Sequence, residues 1–354
     1  MPKRIGYIYE RMVTIENCTQ AVLDGTANLK KTEDVVEMRT NPEKYGRIIR
    51  DILIAGWTPE PVREKTINEG TDRKVRHLRI PTKLDHLIHV AIIRPIIPEL
   101  IKRYDFYCCG SVPGRGPKRV HTAIRKWMGG DKQLKYAVEM DVRHAYENTT
   151  AEVVMRALRR FIKDECYLAE HEKILRQMGG TLAIGFQPSH WYFNLVMSKV
   201  DREVRGKGIH MVRYMDNYVV AGNNRRRVQA AAVRICKKCQ SLLLAIKDAW
   251  HVFRTNIRCV RALSYRYFHG YTLMRKPLMY RISRSIRKAA SYTCAHIARR
   301  VMGHIGYLRH INSYNYRNEH LYRVISIRLL KELISNGDRK RKSQPGNMAA
   351  YSIV

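Results

Sequence analysis

The order of elements between Tyr136 and Ala221 restricts the fold of this chain most tightly: a strand ending in a carboxylate, two helices, and a hairpin carrying a second carboxylate. Tyr136, Val138 and Met140 alternate with Ala137, Glu139 and Asp141, the period-two pattern of a strand with Asp141 at its exit. Thr149-Thr150-Ala151-Glu152 is a capping-box sequence, and Val154, Leu158 and Phe161 mark the buried face of the helix it opens. A second long helix is expected from about Ser189 to Arg205. Val212 to Ala221 then reads as two short strands folded back on Asp216-Asn217, a pair suited to a tight turn.

The 354 residues are enough for one large domain or two to three subdomains. Their 66 lysines and arginines against 31 acidic residues leave a net charge of +35. Such a charge repels itself in a compact fold unless a polyanion compensates it, which points to nucleic acid. Membrane-surface binding fits less well, because the basic residues are spread along the chain instead of lining one amphipathic helix. The most apolar stretch, Leu87 to Ile101, is interrupted by Arg94, Pro95 and Pro98, so no membrane span is expected, and no signal peptide is visible. Eight cysteines without the spacing of a secreted disulfide scaffold suggest free thiols and a cytoplasmic location.

The segment from about Arg11 to Gly56 reads as helices, one of them starting at Asn41-Pro42 with Ile48, Ile49, Ile52 and Leu53 as its apolar stripe. Lys74 to Pro81 is β-like and leads into a helix from Asp85. Cys236 and Cys239 form a lone C-x-x-C, but Val228, Ala232, Ile235, Cys239 and Leu242 recur at helical spacing, which favours helix thiols over zinc ligands. The last fifty residues look helical and basic, ending in a loose, solvated tail from Gly337 that carries Arg339-Lys340-Arg341-Lys342.

Phosphoryl transfer to a 3′-hydroxyl uses two divalent cations about 4 Å apart, held by carboxylates of neighbouring strands. Asp141 and Asp216 suit that task if their strands are adjacent, and all-oxygen ligation favours magnesium. An aspartate at a strand end is, taken alone, more often a turn residue or helix cap. The surrounding motifs change that balance. Glu139-Met140-Asp141-Val142-Arg143-His144-Ala145-Tyr146 and Arg213-Tyr214-Met215-Asp216-Asn217 resemble the first catalytic motif and the Y-x-D-D hairpin of the reverse transcriptases of bacterial retroelements. The resemblance runs from about Arg73 to Tyr316.

It implies an α+β right-hand polymerase: fingers, a palm with an antiparallel sheet, and a helical thumb. The implied divisions are an N-terminal helical extension (1–70), fingers (71–135), palm (136–270, with part of the fingers at 150–185), thumb (271–336) and a basic flexible tail (337–354). The implied activity is RNA-directed DNA synthesis from dNTPs on template RNA, with primer and cDNA as further ligands. Two Mg2+ ions, replaceable by Mn2+, would be held by Asp141, Asp216 and the backbone of Val142. Tyr146, five residues after Asp141, takes the place of the ring that excludes a 2′-hydroxyl from the incoming sugar. Lys74 and Arg76, ahead of Ile80-Pro81 and Asp85, match the fingers motif that grips the triphosphate, the arginine as a planar fork and the lysine as a point charge.

Ile184-Gly185-Phe186-Gln187-Pro188-Ser189-His190, with Asn194 and Asp201 beyond it, resembles the loop and helix that meet template and nucleotide. Gly185 and Ser189 fall at the nucleotide positions, and Gln187, His190 and Asn194 at template positions. The isoleucine-glycine form of this loop is that of diversity-generating retroelements, with His190 where those enzymes have glutamine. Lys247 occupies the region that supplies a lysine near the leaving pyrophosphate. Ala262-Leu263-Ser264-Tyr265-Arg266 resembles the primer-gripping turn, with Ser264 at the usual glycine and Tyr265 and Arg266 at the primer. Gly306 to Asn315 resembles the thumb signature of the same subgroup.

Asn217 departs from the family, which has a second aspartate there. An amide lends an oxygen but no charge, so the metal pair loses one unit of compensation. Three readings follow: an active site resting on Asp141 and Asp216 alone, an engineered substitution, or a binding-only relative that holds structured RNA as a scaffold. For the enzyme, the settings implied are a diversity-generating retroelement, with a small basic accessory protein as partner, or an antiphage defence system, in either case bacterial or phage-encoded.

Overall fold

The computed structural model describes residues 4–69, 74–129, 134–204, 206–292 and 294–342. These residues fall into two compact units, the first drawn from 4–120 and 136–253, the second from 121–135 and 254–342. No helix among them is long and apolar enough to cross a membrane.

The first unit begins with a helical layer. Thr14 caps the Ile15–Thr26 helix by accepting the Asn17 amide at 3.2 Å, and this helix packs along Pro42–Ala55, which starts at the expected proline. Gly46 permits the close approach, since a Cβ there would lie 2.5 Å from Thr19 Oγ1. Of the stripe read from the sequence, Ile49 and Leu53 are buried while Ile48 faces outward. The Lys83–Ile93 helix is buried along most of its length, and Asp85 in its first turn is held by Trp57 Nε1 (2.9 Å), Glu60 N (2.9 Å) and Gln177 Nε2 (2.6 Å). Ahead of this helix, β1 (Arg63–Glu69) pairs antiparallel with β2 (Lys74–Ile80).

The central sheet is antiparallel. Its strands β3 (Tyr136–Arg143), β4 (Ile209–Tyr214), β5 (Asn217–Gly222) and β6 (Ala245–Ile246) lie in the order β4–β5–β3–β6. Val138, Met140 and Val142 enter the core, where the Ala151–Leu158, Ser189–Glu203 and Arg225–Gln240 helices also bury their apolar faces. Thr150, one residue later than the capping box suggested, is the N-cap of Ala151–Leu158, because Thr149 spends its hydroxyl on the Ala145 carbonyl at 2.6 Å. The β4–β5 turn is Met215-Asp216, not Asp216-Asn217. Tyr214 pairs with Asn217, so Asn217 is already the first residue of β5. The C-x-x-C lies in the Arg225–Gln240 helix, with Cys239 buried and Cys236 half-buried.

In the second unit, the strands Val260–Ala262, Tyr265–Tyr267 and Thr272–Met274 form an antiparallel sheet, and the expected division at residue 270 falls inside it. Leu263 and Ser264, at φ 50° and 70°, make the two-residue turn between the first two strands. A turn with both central residues left-handed explains the usual glycine, and Ser264 takes the conformation at a steric cost. The helices Lys276–Ser291, Ala295–Leu308 and Ile327–Lys342 pack around Ile282, Ile286, Val301 and Leu330. Ile327–Lys342 continues past Gly337, where the sequence reading placed a loose tail. Once Leu330 and its neighbours dock the first half, each further turn extends an existing helix at little cost. The rest of that expected tail, 343–354, lies outside the described residues.

Candidate active site

Strand pairing brings the two aspartates together. Asp141 stands opposite Asn217 in the β3–β5 ladder, and Asp216 sits one residue earlier in the turn, its carbonyl accepting the Val142 amide at 3.0 Å. Val142 has a buried, apolar side chain, so only its backbone carbonyl offers a donor atom. Lys247, next to β6, donates its amide to the Asp141 carbonyl at 2.9 Å and sets its ammonium 2.8 Å from Asp141 Oδ1.

That ion pair lacks hydrogen-bond directionality, and Asp141 Oδ1 is buried with no hydrogen-bond donor. Asp216 is pushed above the usual carboxylate range, first by burial and then by the Asp141 charge, against the Asn217 and Lys247 contributions that lower it. Asn217 Nδ2 donates to Asp216 Oδ1 at 2.9 Å, a bond that an aspartate at 217 would not make. Two crowded carboxylates that share one ammonium, in an all-oxygen donor set, fit a hard divalent cation. Asp216 has a raised folded pKa, so its contribution to stability is present below the unfolded pKa and is lost as pH rises through the folded one. Asp216→Asn should therefore raise the metal-free melting temperature at neutral pH and leave it unchanged in acid; equal melting at both pH values would contradict the mutual repulsion.

The turn is held from beneath. Met215 adopts φ 56°, a costly conformation for a residue with a side chain, and His144 just beyond Asp141 adopts φ 44°. Arg213, fully buried, donates from Nη1 to the Met215 carbonyl (2.9 Å) and Asn194 Oδ1 (2.9 Å). Its Nε and Nη2 reach the equally buried Asp201 at 2.9 Å, and Asp201 also accepts the Tyr218 hydroxyl at 2.6 Å. Gly110 presses on the turn, where a Cβ would lie 2.5 Å from the Met215 amide, and its carbonyl accepts Asn194 Nδ2 at 2.9 Å. Sequence reasoning did not single out Gly110, Met215 or the Arg213–Asp201 pair as a clamp. An arginine in a strand otherwise destined for the core was the available signal.

A cavity of about 350 Å³ is lined by Tyr146, by His77, Leu78 and Arg79 of β2, and by Ala183 and Ile184. The Tyr146 ring packs 5.5 Å from that of Phe193, and burial and the Asp216 charge push its hydroxyl pKa far up, so it stays neutral. β2 docks onto the 184–185 loop through Arg79 N to the Ile184 carbonyl (2.9 Å). Gly185, at φ +113°, makes this possible because a Cβ would lie 2.3 Å from the Arg79 carbonyl oxygen. Gly185→Ala should cost about 1–3 kcal/mol and raise the KM for dNTP, read by thermal melting and steady-state extension; a wild-type KM would detach this loop from the nucleotide. Arg76 is half-buried, opposite Ile67, and does not line the cavity. The side chain of Lys74 lies outside the described residues.

Ser189, expected at the nucleotide, is buried and donates its hydroxyl to the Ala183 carbonyl at 2.7 Å, so it latches the loop from inside. Asn194, expected at the template, is equally buried in the Arg213 network, with no surface left for a template. Gln187 and His190 are half-buried beside each other: Gln187 Oε1 has no partner, and burial lowers His190 to about 4, leaving it neutral. In the second unit Tyr265 is buried against His121, ring centroids 5.4 Å apart, and its hydroxyl donates to the Tyr307 carbonyl at 3.4 Å. Arg266 is half-buried, with its guanidinium 5.9 Å from the Phe268 ring centre.

This arrangement sets a carboxylate pair at the tip of an antiparallel sheet beside a nucleotide-sized cavity, a construction suited to phosphoryl transfer. A comparison with individual curated proteins gave no match. The sequence model of the family described as reverse transcriptase (RNA-dependent DNA polymerase) matches residues 68–266, more than half of the chain, including β2, Tyr146, both aspartates and Lys247. With the sheet and its carboxylates lying inside that match, the chain belongs to the reverse transcriptase family, which implies a polymerase palm fold.

Proposed function

We propose that this chain is a working RNA-directed DNA polymerase, of the diversity-generating retroelement type, that makes cDNA from a structured template RNA. The observation that carries the activity is the pairing of Asp141 with Asp216 at the tip of one sheet, two carboxylates that share a single ammonium, Lys247, so that their charge is only partly compensated. Asp141, Asp216 and the Val142 carbonyl would hold the Mg2+ ions, with Mn2+ as substitute. Bound there, the ions would supply Lewis-acid polarisation of the attacking hydroxyl and charge compensation for the leaving pyrophosphate. Lys247, on a flexible stem, is free to leave Asp141 and meet the phosphates once Asp141 gains another counter-charge. The β1–β2 hairpin serves as fingers and the helices of the second unit as thumb. The subgroup assignment rests on the Ile184-Gly185 loop and on Gly306 to Asn315, and brings with it the small basic accessory protein.

Asn217 favours a second reading, an RNA-holding scaffold without turnover. Primed RNA, dNTPs and Mg2+ separate the two: incorporation that depends on Asp216 supports the polymerase, while RNA binding with no incorporation in either the chain or its Asn217→Asp variant leaves the scaffold. Tyr146→Ala should loosen rejection of ribonucleotides by about 10–200-fold, measured as the ratio of kcat/KM for dNTP and rNTP. An unchanged ratio would remove Tyr146 from sugar selection.

A further inference from the structure

A large basic concavity of the first unit lies apart from the carboxylate site. It encloses about 860 Å³, more than twice the 350 Å³ cavity beside Tyr146, and shares no lining residue with it. Its apolar floor is Phe161 and Leu195, and its walls carry six cations: Arg4, Arg103, Arg159, Arg160, Lys199 and Arg202. Two are occupied. Arg103 pairs with Glu99 at 2.8 Å while its guanidinium lies over the Phe161 ring at 4.1 Å, and Arg159 pairs with Glu172 at 3.0 Å. Among the described residues no carboxylate is ion-paired to Arg160, Lys199 or Arg202. Lys199 is half-buried, and its ammonium is held down to about 8, first by burial and then by the charges of Arg160, Arg156, Lys238 and Arg202.

Like charges gathered around one concavity repel, and no functional residue of the carboxylate site needs them there. An anion with several charges would relieve the repulsion, and guanidinium forks match phosphate geometry. The volume is more than twice that of the cavity beside Tyr146, and cations on several walls suit consecutive phosphates of a polynucleotide. We propose that this cavity is a second nucleic-acid site, gripping the sugar–phosphate backbone of a structured RNA outside the template–primer cleft. The inference rests on the family's use of RNA but not on turnover.

The test compares the full chain with the triple variant Arg160→Gln, Lys199→Gln, Arg202→Gln, each checked for folding by melting. For a long structured RNA, affinity at physiological salt should fall by about tenfold or more, and the slope of log K against log salt should become shallower by roughly 2. Extension of a short primed template should keep its wild-type rate, which separates this site from the polymerase reading. Wild-type affinity and slope in the folded variant would overturn the proposal. So would an equal loss on the short template, which would place these cations in the cleft. If tripolyphosphate raises the melting temperature of the wild type alone while RNA affinity is unchanged, the pocket takes free polyphosphate and the RNA assignment fails. Should the triple variant not fold, Arg160→Gln with Arg202→Gln, both exposed, gives the same readings with a smaller change in slope.

Discussion

Asp141→Ala should abolish primer extension on an RNA template, lowering the rate of nucleotide addition on the order of 10³-fold or more. The carboxylate sits at the exit of an interior strand and meets Lys247 on one side and the Asp216 charge on the other. Removing it takes away one of the two carboxylates proposed to hold the cations, and the remaining Asp216, eased of the Asp141 charge, cannot hold the pair alone. The fold should survive, because the ion pair with Lys247 that alanine removes is partly exposed and contributes little to stability. Single-nucleotide incorporation and a melting curve on the same preparation make the measurement. A variant that extends primers at the wild-type rate would refute the assignment of the metal-holding pair. Asn217→Asp should act oppositely, raising the rate by about tenfold or more and lowering the metal-free melting temperature, since it adds a third carboxylate and deletes the Asn217 donor to Asp216.

Asp201→Ala is expected to be the most destabilising single change in the first unit, at about 3–5 kcal/mol. Arg213 and Asp201 are both fully buried, and without the carboxylate the guanidinium keeps its charge in a dry core with only the Met215 carbonyl, Asn194 and Cys108 around it. The Tyr218 hydroxyl loses its acceptor as well. For a unit of this size the cost corresponds to roughly 6–20 °C in melting temperature. Replacing both ends, Asp201→Leu with Arg213→Met, should recover much of the stability, because matched apolar groups avoid the desolvation penalty. It should not recover activity, since the Met215 carbonyl loses the donor that shapes the turn. A stable and fully active double variant would contradict the clamp.

The parts of the fold that were legible in the sequence are those where one local pattern decides the outcome. Alternation gave β3 and placed Asp141 at its end, and helical spacing gave the Arg225–Gln240 and Ser189–Glu203 helices. β1 was invisible because Arg-Glu-Lys-Thr-Ile-Asn-Glu has no alternation of apolar residues; it is a strand only because β2 pairs with it. The turn was misplaced by one residue because Asn217 looked like a turn residue, whereas Met215 takes the left-handed position under the compulsion of Arg213 and Gly110. Ser189 and Asn194 show the limit of motif reading: spacing placed them near the site, but only packing showed that their polar atoms are used up inside the protein. Lys247 meets Asp141 through a geometry set by the adjoining two-residue strand, which no sequence pattern announces.

The sheet order has a consequence for which parts of the molecule are able to open separately. β5 lies between β4 and β3, so pulling its buried residues Tyr218 to Ala221 out of the sheet means breaking ladders on both sides. β1–β2 has only its own ladder and a short dock onto the 184–185 loop. The chain thus carries its carboxylates on a strand paired on both sides and lines the cavity beside Tyr146 with a hairpin paired on one. If the proposed site is the nucleotide's, opening of β1–β2 would admit a substrate while leaving the β3–β5 ladder intact.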